Sequence, residues 1–500
     1  MADIIKIIVL VIILYVSGLF AQVPKDLYLE KNFDTKSIVA SVDSIDITAE
    51  EFFLNYEFGP AFTKKVPDSK LVHLEYMINE KLLTLEGYTE GKDTLEEVNS
   101  MLDEFAGDIA AEEMYKTEIL PKVKIQDDEV EKIIGKKQVE VELKWLFAQT
   151  EDEVKGLISS LNSEADFDSL YEKQLSDSVP AEDRSMKSTL FGLEKNNPQL
   201  AQIVDSLKPG GVSIPFHVPD GWYIVKLSNM SRNMITTGTE YQRLKQEAEN
   251  AAIKRNMDSL SNVYVQQLMI DNKPVIKKDA YSMLRSYLGK MILEKEKYDS
   301  WQLEQKLDDA LKNLNPEPGT STLVEMRGKL TINDFLYWYR NRSLYITMNE
   351  NDFNSFSASL EQLIWRMVRD RLIASEAAAG GYGRNPEVIK QVSWWKDKIV
   401  GSAVRNDIIN AVKLESNEVM HGNNKPDNEK LEMEFRKKLL HTVLALKQKY
   451  KIVINKEALY EVPVSEENNK RAIEFYMVKT GGLIPRTPYP SINNEWVNWQ

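Results

Sequence analysis

The chain has 500 residues, 43% hydrophobic and 28% charged, which is enough apolar material for the cores of two to four domains. A formal charge of −14 speaks against a nucleic-acid footprint, because holding phosphates calls for a basic face. With no cysteine, disulfides, thiol nucleophiles, cysteine-ligated zinc and a lipidated cysteine are excluded. The four histidines (His73, His217, His421, His441) lack helical metal-ligand spacing, and no phosphate-binding loop is present. Gly380-Gly381-Tyr382-Gly383 is a fragment of a dinucleotide fingerprint that follows a helical run and not a strand. No cofactor, metal, nucleotide or nucleic acid is expected.

Lys6, the apolar run Ile7–Val16 and then Ser17-Gly18-Leu19-Phe20-Ala21-Gln22 read as a secretory signal peptide cut after Ala21. The 14 residues Ile7–Phe20 fall short of the about 20 that span a bilayer. An uncleaved anchor is the alternative. The expectation is an exported chain with no integral membrane span after signal removal.

Next comes an alternating strand at Ile38–Val42, a turn, and a helix capped by Thr48 with Glu51 three residues on. The stretch Leu323–Phe335 repeats that pattern, with Thr331 and Asp334 in the capping places, at an offset of 283 residues. Met77–Glu86 then matches Met367–Glu376 at offset 290, both amphipathic helices leading to a glycine, Gly91 or Gly381. Val123–Val130 matches Val412–Val419 at offset 289, and Val275–Ala280 matches Val453–Ala458 at offset 178. The offset falls from 289 to 178, so the first copy carries 111 extra residues between Val130 and Val275. That is the size of a small inserted domain.

The first copy resembles the N-terminal region of SurA-, PrsA- and PpiD-type folding factors, at Val39–Phe52, Leu74–Gly91 and Lys124–Val130. The resemblance implies a helical chaperone lobe, completed by the chain after the insert, from Glu240 to Ala280. The insert, from about Lys137 to Ser228, is similar to a parvulin domain. Lys144–Ala148 fills the opening strand, Ala165–Leu170 the following helix, and Leu207–Pro215 with Gly221–Leu227 the closing motif. Where parvulins place two facing histidines, this chain has Trp145 and Tyr223, and the nearby Cys/Asp position falls on Ser178. The positions around the substrate proline fall on Leu190, Asn196 and Leu200, of which only Leu190 keeps the family's residue type. An indole in place of an imidazole fills volume and offers no acceptor, while Tyr223 still has a hydroxyl.

Elsewhere the bland readings lead. Trp338, Trp365, Trp394-Trp395 and Tyr337/Tyr339 sit at helical spacing and read as core. His73 and His441 read as structural residues. The tail Glu461–Gln500, with Pro485, Pro488, Pro490, Trp496 and Trp499, is either a docking segment or a wrap over the second copy.

The expected fold is α+β and predominantly helical. Its parts are a signal peptide (1–21), a chaperone lobe (22–136 and 229–290), an inserted parvulin-like α/β module (137–228), a second copy without the module (291–460) and a Pro/aromatic tail (461–500). The expected function is ATP-independent holding, in the periplasm, of unfolded or nascent envelope polypeptides, outer-membrane proteins among them. A working divergent prolyl isomerase and a structural partner in an envelope complex are the alternatives.

Overall fold

The computed structural model describes residues 32–161, 166–176, 184–293, 319–342, 346–419, 428–467, 487, 489–494 and 496. The N-terminal apolar run and Ser178 lie outside them. The chain is mostly helical and divides into two compact bodies, Val123–Met257 and Pro24–Lys122 with Asp258–Gln500.

The larger body opens with an antiparallel hairpin, β1 (Ile38–Val42) and β2 (Ile45–Thr48). Asp43 takes φ 52° in its two-residue turn, a left-handed conformation that aspartate tolerates. Thr48 Oγ1 accepts from the Glu51 N–H and starts α1 (Ala49–Phe58). The long α2 (Ser69–Thr89) follows, then Gly91 at φ 72°, a short 3-10 turn and α3 (Glu96–Glu118).

The smaller body begins with α4 (Asp127–Gln138) and β3 (Val139–Ala148). After these come α5 (Glu151–Leu161), α6 (Phe167–Ser176), β4 (Ser185–Thr189), α7 (Leu190–Asn196) and α8 (Pro198–Asp205). β5 (Phe216–Val218) and β6 (Gly221–Arg232) complete an antiparallel sheet of order β4-β3-β6-β5. Alternation along β3 buries both faces. Val141, Leu143 and Trp145 pack with Leu193, Leu200 and Val204, whereas Leu146 and Ala148 pack with Val154, Phe167 and Tyr171. The ends of this module lie side by side: Val139 pairs with Arg232, and the Asn233 N–H donates to Gln138 O at 2.8 Å. Such closeness of entry and exit is what lets a domain sit as an insert. The chain leaves through α9 (Gly238–Asn272), whose Ala248 and Ala252 pack on Val130, Ile133 and Ile134 of α4.

Back in the larger body stand β7 (Val275–Ile276), α10 (Lys278–Leu293) and a second hairpin, β8 (Thr322–Met326) and β9 (Gly328–Thr331). Thr331 and Asp334 form a reciprocal capping box at the start of α11 (Ile332–Arg340). Then come α12 (Phe353–Ala379), Gly381 at φ 78°, α13 (Pro386–Val419), α14 (Asn428–Lys449), β10 (Ile452–Ile454) and α15 (Lys456–Glu461).

The hairpins are closed crosswise. β10 pairs with β1, and β7 pairs with β8, giving sheets of order β10-β1-β2 and β7-β8-β9. Sequence alone assigns Val275 to the first hairpin and Val453 to the second; the structure exchanges them. The two strands are chemically alike, so helix packing decides. Phe435, Leu439, Val443 and Leu446 of α14 enter the core beneath the first hairpin and bring β10 with them. Tyr281 of α10 donates its hydroxyl to Ser357 O of α12, which sets β7 beside the second.

Long helices from both stretches interlock. A Cβ on Gly87 would stand 2.6 Å from Val400 Cγ1, and one on Gly401 2.8 Å from Thr84 Oγ1, so α2 and α13 cross where only glycine fits. Beside that crossing, buried Lys81 Nζ lies 2.7 Å from both Glu51 and Asp397. Burial by itself would lower the Lys81 pKa, but the two carboxylates outweigh it and hold the ammonium above its ordinary range. A second buried cluster joins Arg342 to Glu104 (3.0 Å) and Asp108 (2.5 Å), with Arg371 also on Glu104. Removing one member of such a set leaves an unpaired buried charge, at about 3–5 kcal/mol.

His73 is wholly enclosed between α1 and α2, and burial, with Lys64 nearby, pushes its pKa down to about 3. A histidine whose folded pKa lies below its unfolded value of about 6.5 favours the folded state fully above that pH. The contribution is lost as pH falls from about 6.5 toward 3. The unfolding free energy, measured in urea, should therefore fall across this window by up to about 1.4 kcal/mol per pH unit from His73 alone. The His73→Gln variant should lose that part of the slope; an unchanged slope would show that other groups set it.

Candidate functional site

Register places the residues of interest on the module's sheet. β3 and β6 pair Trp145 with Val225 and Phe147 with Tyr223. Cross-strand partners share a face, as do residues two apart, so Trp145 and Tyr223 lie diagonally on one face. Trp145 is partly buried in a cluster with Val141, Leu143, Leu193, Leu200 and Val225, and its backbone N–H donates to Arg184 O at 3.0 Å. Leu190, Met186 and Phe216 belong to the same cluster. Two caps put the leucines there. Thr189 Oγ1 accepts from the Gly192 N–H, starting α7 at Leu190, and Asn197 Oδ1 accepts from the Leu200 N–H, starting α8.

The structure thus gathers Trp145, Leu190 and Leu200. Asn196, the last residue of α7, is exposed and outside the cluster. Ser178 lies outside the described residues.

Tyr223 is ringed by aromatic groups, with Phe147 edge-on at 5.2 Å and Phe216 stacked at 5.9 Å. Its hydroxyl donates to Asp220 Oδ2 at 2.7 Å. The Arg184 guanidinium lies 5.0 Å from the centre of the Phe147 ring. Burial, then the Asp220 carboxylate, push the Tyr223 pKa up to about 12, with Arg184 pulling the other way. The phenol is accordingly neutral at physiological pH, and its proton is engaged by Asp220. His217, the module's one histidine, lies edge-on to Trp222 at 5.0 Å, and Trp222 packs with the cluster on the other face. The face bearing Trp145 and Tyr223 is therefore an apolar, aromatic surface with a phenol–carboxylate pair and no facing imidazoles.

Phe147, Met186, Arg184, Phe216 and Asp220 escaped the sequence reading. Phe147 was within reach, since it stands two residues beyond Trp145 on a strand and must share its face. Met186 lies on the short edge strand β4 and Arg184 just before it, beside a stretch of weak pattern.

Residues 146–229 match the rotamase family model, described as a PPIC-type PPIASE domain. The module is a parvulin-type domain. Among solved structures, the chain is similar to the foldase protein PrsA from Streptococcus pneumoniae at 16% identity and TM-score 0.22, over 45% of this chain and 91% of that one. It is also similar to PrsA from Bacillus subtilis (18%, TM-score 0.17, 46% and 93%) and to the foldase PrsA from Lactococcus lactis (15%, TM-score 0.20, 49% and 97%). No curated protein matches the chain. Among the described residues no helix is long and apolar enough to cross a membrane.

The Tyr223–Asp220 pair has a direct readout. Asp220→Asn should bring the Tyr223 ring titration from about 12 part of the way back toward about 10. Tyrosine-ring NMR, with Tyr223→Phe for assignment, measures it. An unmoved midpoint would leave burial as the whole cause.

Proposed function

We propose that the chain is an ATP-independent holding factor for unfolded or nascent envelope polypeptides, exported to the periplasm, whose parvulin-type module has little or no isomerase turnover. One observation carries the second half of this reading. The face on which a parvulin needs two facing imidazoles bears an indole packed into an apolar cluster and a phenol whose proton is held by Asp220. Uncatalysed rotation about Xaa-Pro has a barrier of about 20 kcal/mol, and lowering it requires groups that favour the twisted amide over both planar forms. Apolar packing alone favours none of the three.

Holding asks for less. It needs exposed apolar surface that accepts many sequences. In the larger body, Pro274, Val275, Ile276, Tyr281 and Trp365 line an open cleft of about 390 Å³, flanked by Lys278 and Glu361. Val275 is 55% exposed there. The larger body supports a duplication reading as well. Each stretch runs hairpin, capped helix, long helix, left-handed glycine, 3-10 turn and long helix. On that reading residues 291–460 are a second copy of the lobe, and the module at 137–228 belongs to the first copy alone.

On short Xaa-Pro peptides, turnover should stay close to background, while the full chain delays aggregation of an unfolded outer-membrane protein without ATP. Trp145→His with Tyr223→His should raise turnover and leave holding unchanged. Wild-type turnover comparable to an ordinary parvulin, abolished by Tyr223→Phe, would contradict the reading and make Tyr223 catalytic.

A further inference from the structure

Described residues of the tail enter the core beneath the first hairpin. Tyr489, Ile492 and Trp496 are buried there, beside Phe58, Met77 and Trp394. Tyr489 lies 5.1 Å from Phe58, and the fully buried Trp496 indole stacks on Tyr76 at 6.1 Å. Hydrogen bonds fix this stretch. The Ile492 N–H donates to Asn55 Oδ1 (3.2 Å), the Asn493 N–H to Glu80 Oε1 (2.8 Å), and Trp496 Nε1 to that same Glu80 oxygen (2.9 Å).

The receiving groups are held in place from behind. Lys398 binds the other Glu80 oxygen at 2.7 Å. Asn55 Oδ1 also faces His73 Nε2 at 2.8 Å, while Thr63 Oγ1 faces Nδ1 at 3.0 Å. Asn55 Oδ1 accepts from the Ile492 N–H, which makes the oxygen the atom that faces His73 and puts the His73 proton on Nε2. Two of these hydrogen bonds read main-chain N–H groups, which every polypeptide carries, and another reads the Trp496 indole.

The second lobe shows what this slot is for. At the 283-residue offset Asn55 corresponds to Trp338, and at the 290-residue offset Glu80 corresponds to Asp370. There Trp338 Nε1 donates to Asp370 Oδ2 at 3.2 Å, with the indole fully buried. Each lobe thus seats an indole on the same carboxylate. In the second lobe the indole comes from the lobe's own helix, and in the first from a segment more than 400 residues away in the chain. Residues 489–494 pair with no strand.

We propose that the first-lobe slot, framed by Asn55, Tyr76, Glu80 and Trp394, is a binding site for an extended, tryptophan-bearing stretch of unfolded polypeptide. The tail is its resident occupant, and clients displace it. This rests on the holding function proposed above. A tethered occupant competes at an effective concentration on the order of millimolar, so an emptied slot should bind a free peptide about tenfold more tightly or better.

The absence of cysteine allows a single reporter. Asn494→Cys, at an exposed position, takes an environment-sensitive fluorophore. Adding a reduced, alkylated, permanently unfolded protein to the labelled full chain should shift its emission over the same concentrations at which that chain suppresses aggregation. A free peptide of residues 487–496 should shift it too, and its Trp→Ala counterpart should not. In a second arm, Trp496→Ala in the full chain should bind the 487–496 peptide about tenfold more tightly than wild type. Suppression of aggregation with no change in emission would overturn the inference and leave the holding function standing. No suppression by the labelled or the unlabelled chain would overturn both.

Discussion

Each hairpin of the larger body is completed by a third strand from outside the hairpin itself. A two-stranded hairpin is marginal in water, so β1–β2 depends on β10 and β8–β9 depends on β7. The strands arrive with the helices that carry them, and α14 contributes four buried apolar side chains to the first core. Around this exchange lie the α2–α13 crossing at Gly87 and Gly401 and the buried charges of Lys81 and Arg342. Buried ion pairs are a poor source of net stability but a strong penalty on mispairing. Here Lys81 gains Asp397, and Arg342 gains Glu104 and Asp108, only when the two stretches are interlocked, which couples the folding of one to the other.

The module stands apart from that logic. Its sheet buries both faces, and it enters and leaves the chain at adjacent residues, Gln138 and Asn233. Trp145 and Leu200 contribute packing to one face, so the fold of the domain does not depend on imidazoles there. Scaffold and chemistry are separable in a domain of this kind. Residues 146–229 match the PPIC-type domain model, and the proposed loss of isomerase turnover concerns only the groups on one face of its sheet.

Local signals were the legible part. Thr48 with Glu51 and Thr331 with Asp334 announced two helix starts, and both caps form. The resemblance placed a strand at Lys144–Ala148, which lies within β3, and the excess of residues between Val130 and Val275 announced the insert. Long-range choices were not legible. Val275 and Val453 head near-identical short strands, and nothing local says which hairpin each will join. Lys81 and Asp397, 316 residues apart, carry no mark of their pairing. The tail's position was equally hidden, because a Pro/aromatic segment suits any apolar groove. Its anchor, Glu80, reads in sequence as one more surface charge on an amphipathic helix.

The central claim is that holding belongs to the interlocked body and not to the parvulin-type module. The most direct test is aggregation suppression by a chain in which residues 139–232 are replaced by a short Gly-Ser linker, which the backbone hydrogen bond between Gln138 and Asn233 shows to be spannable. The prediction is a folded protein, by circular dichroism and cooperative urea unfolding, that suppresses aggregation of an unfolded outer-membrane protein as the full chain does. A shortened chain that folds but no longer holds, or that fails to fold, would contradict the account.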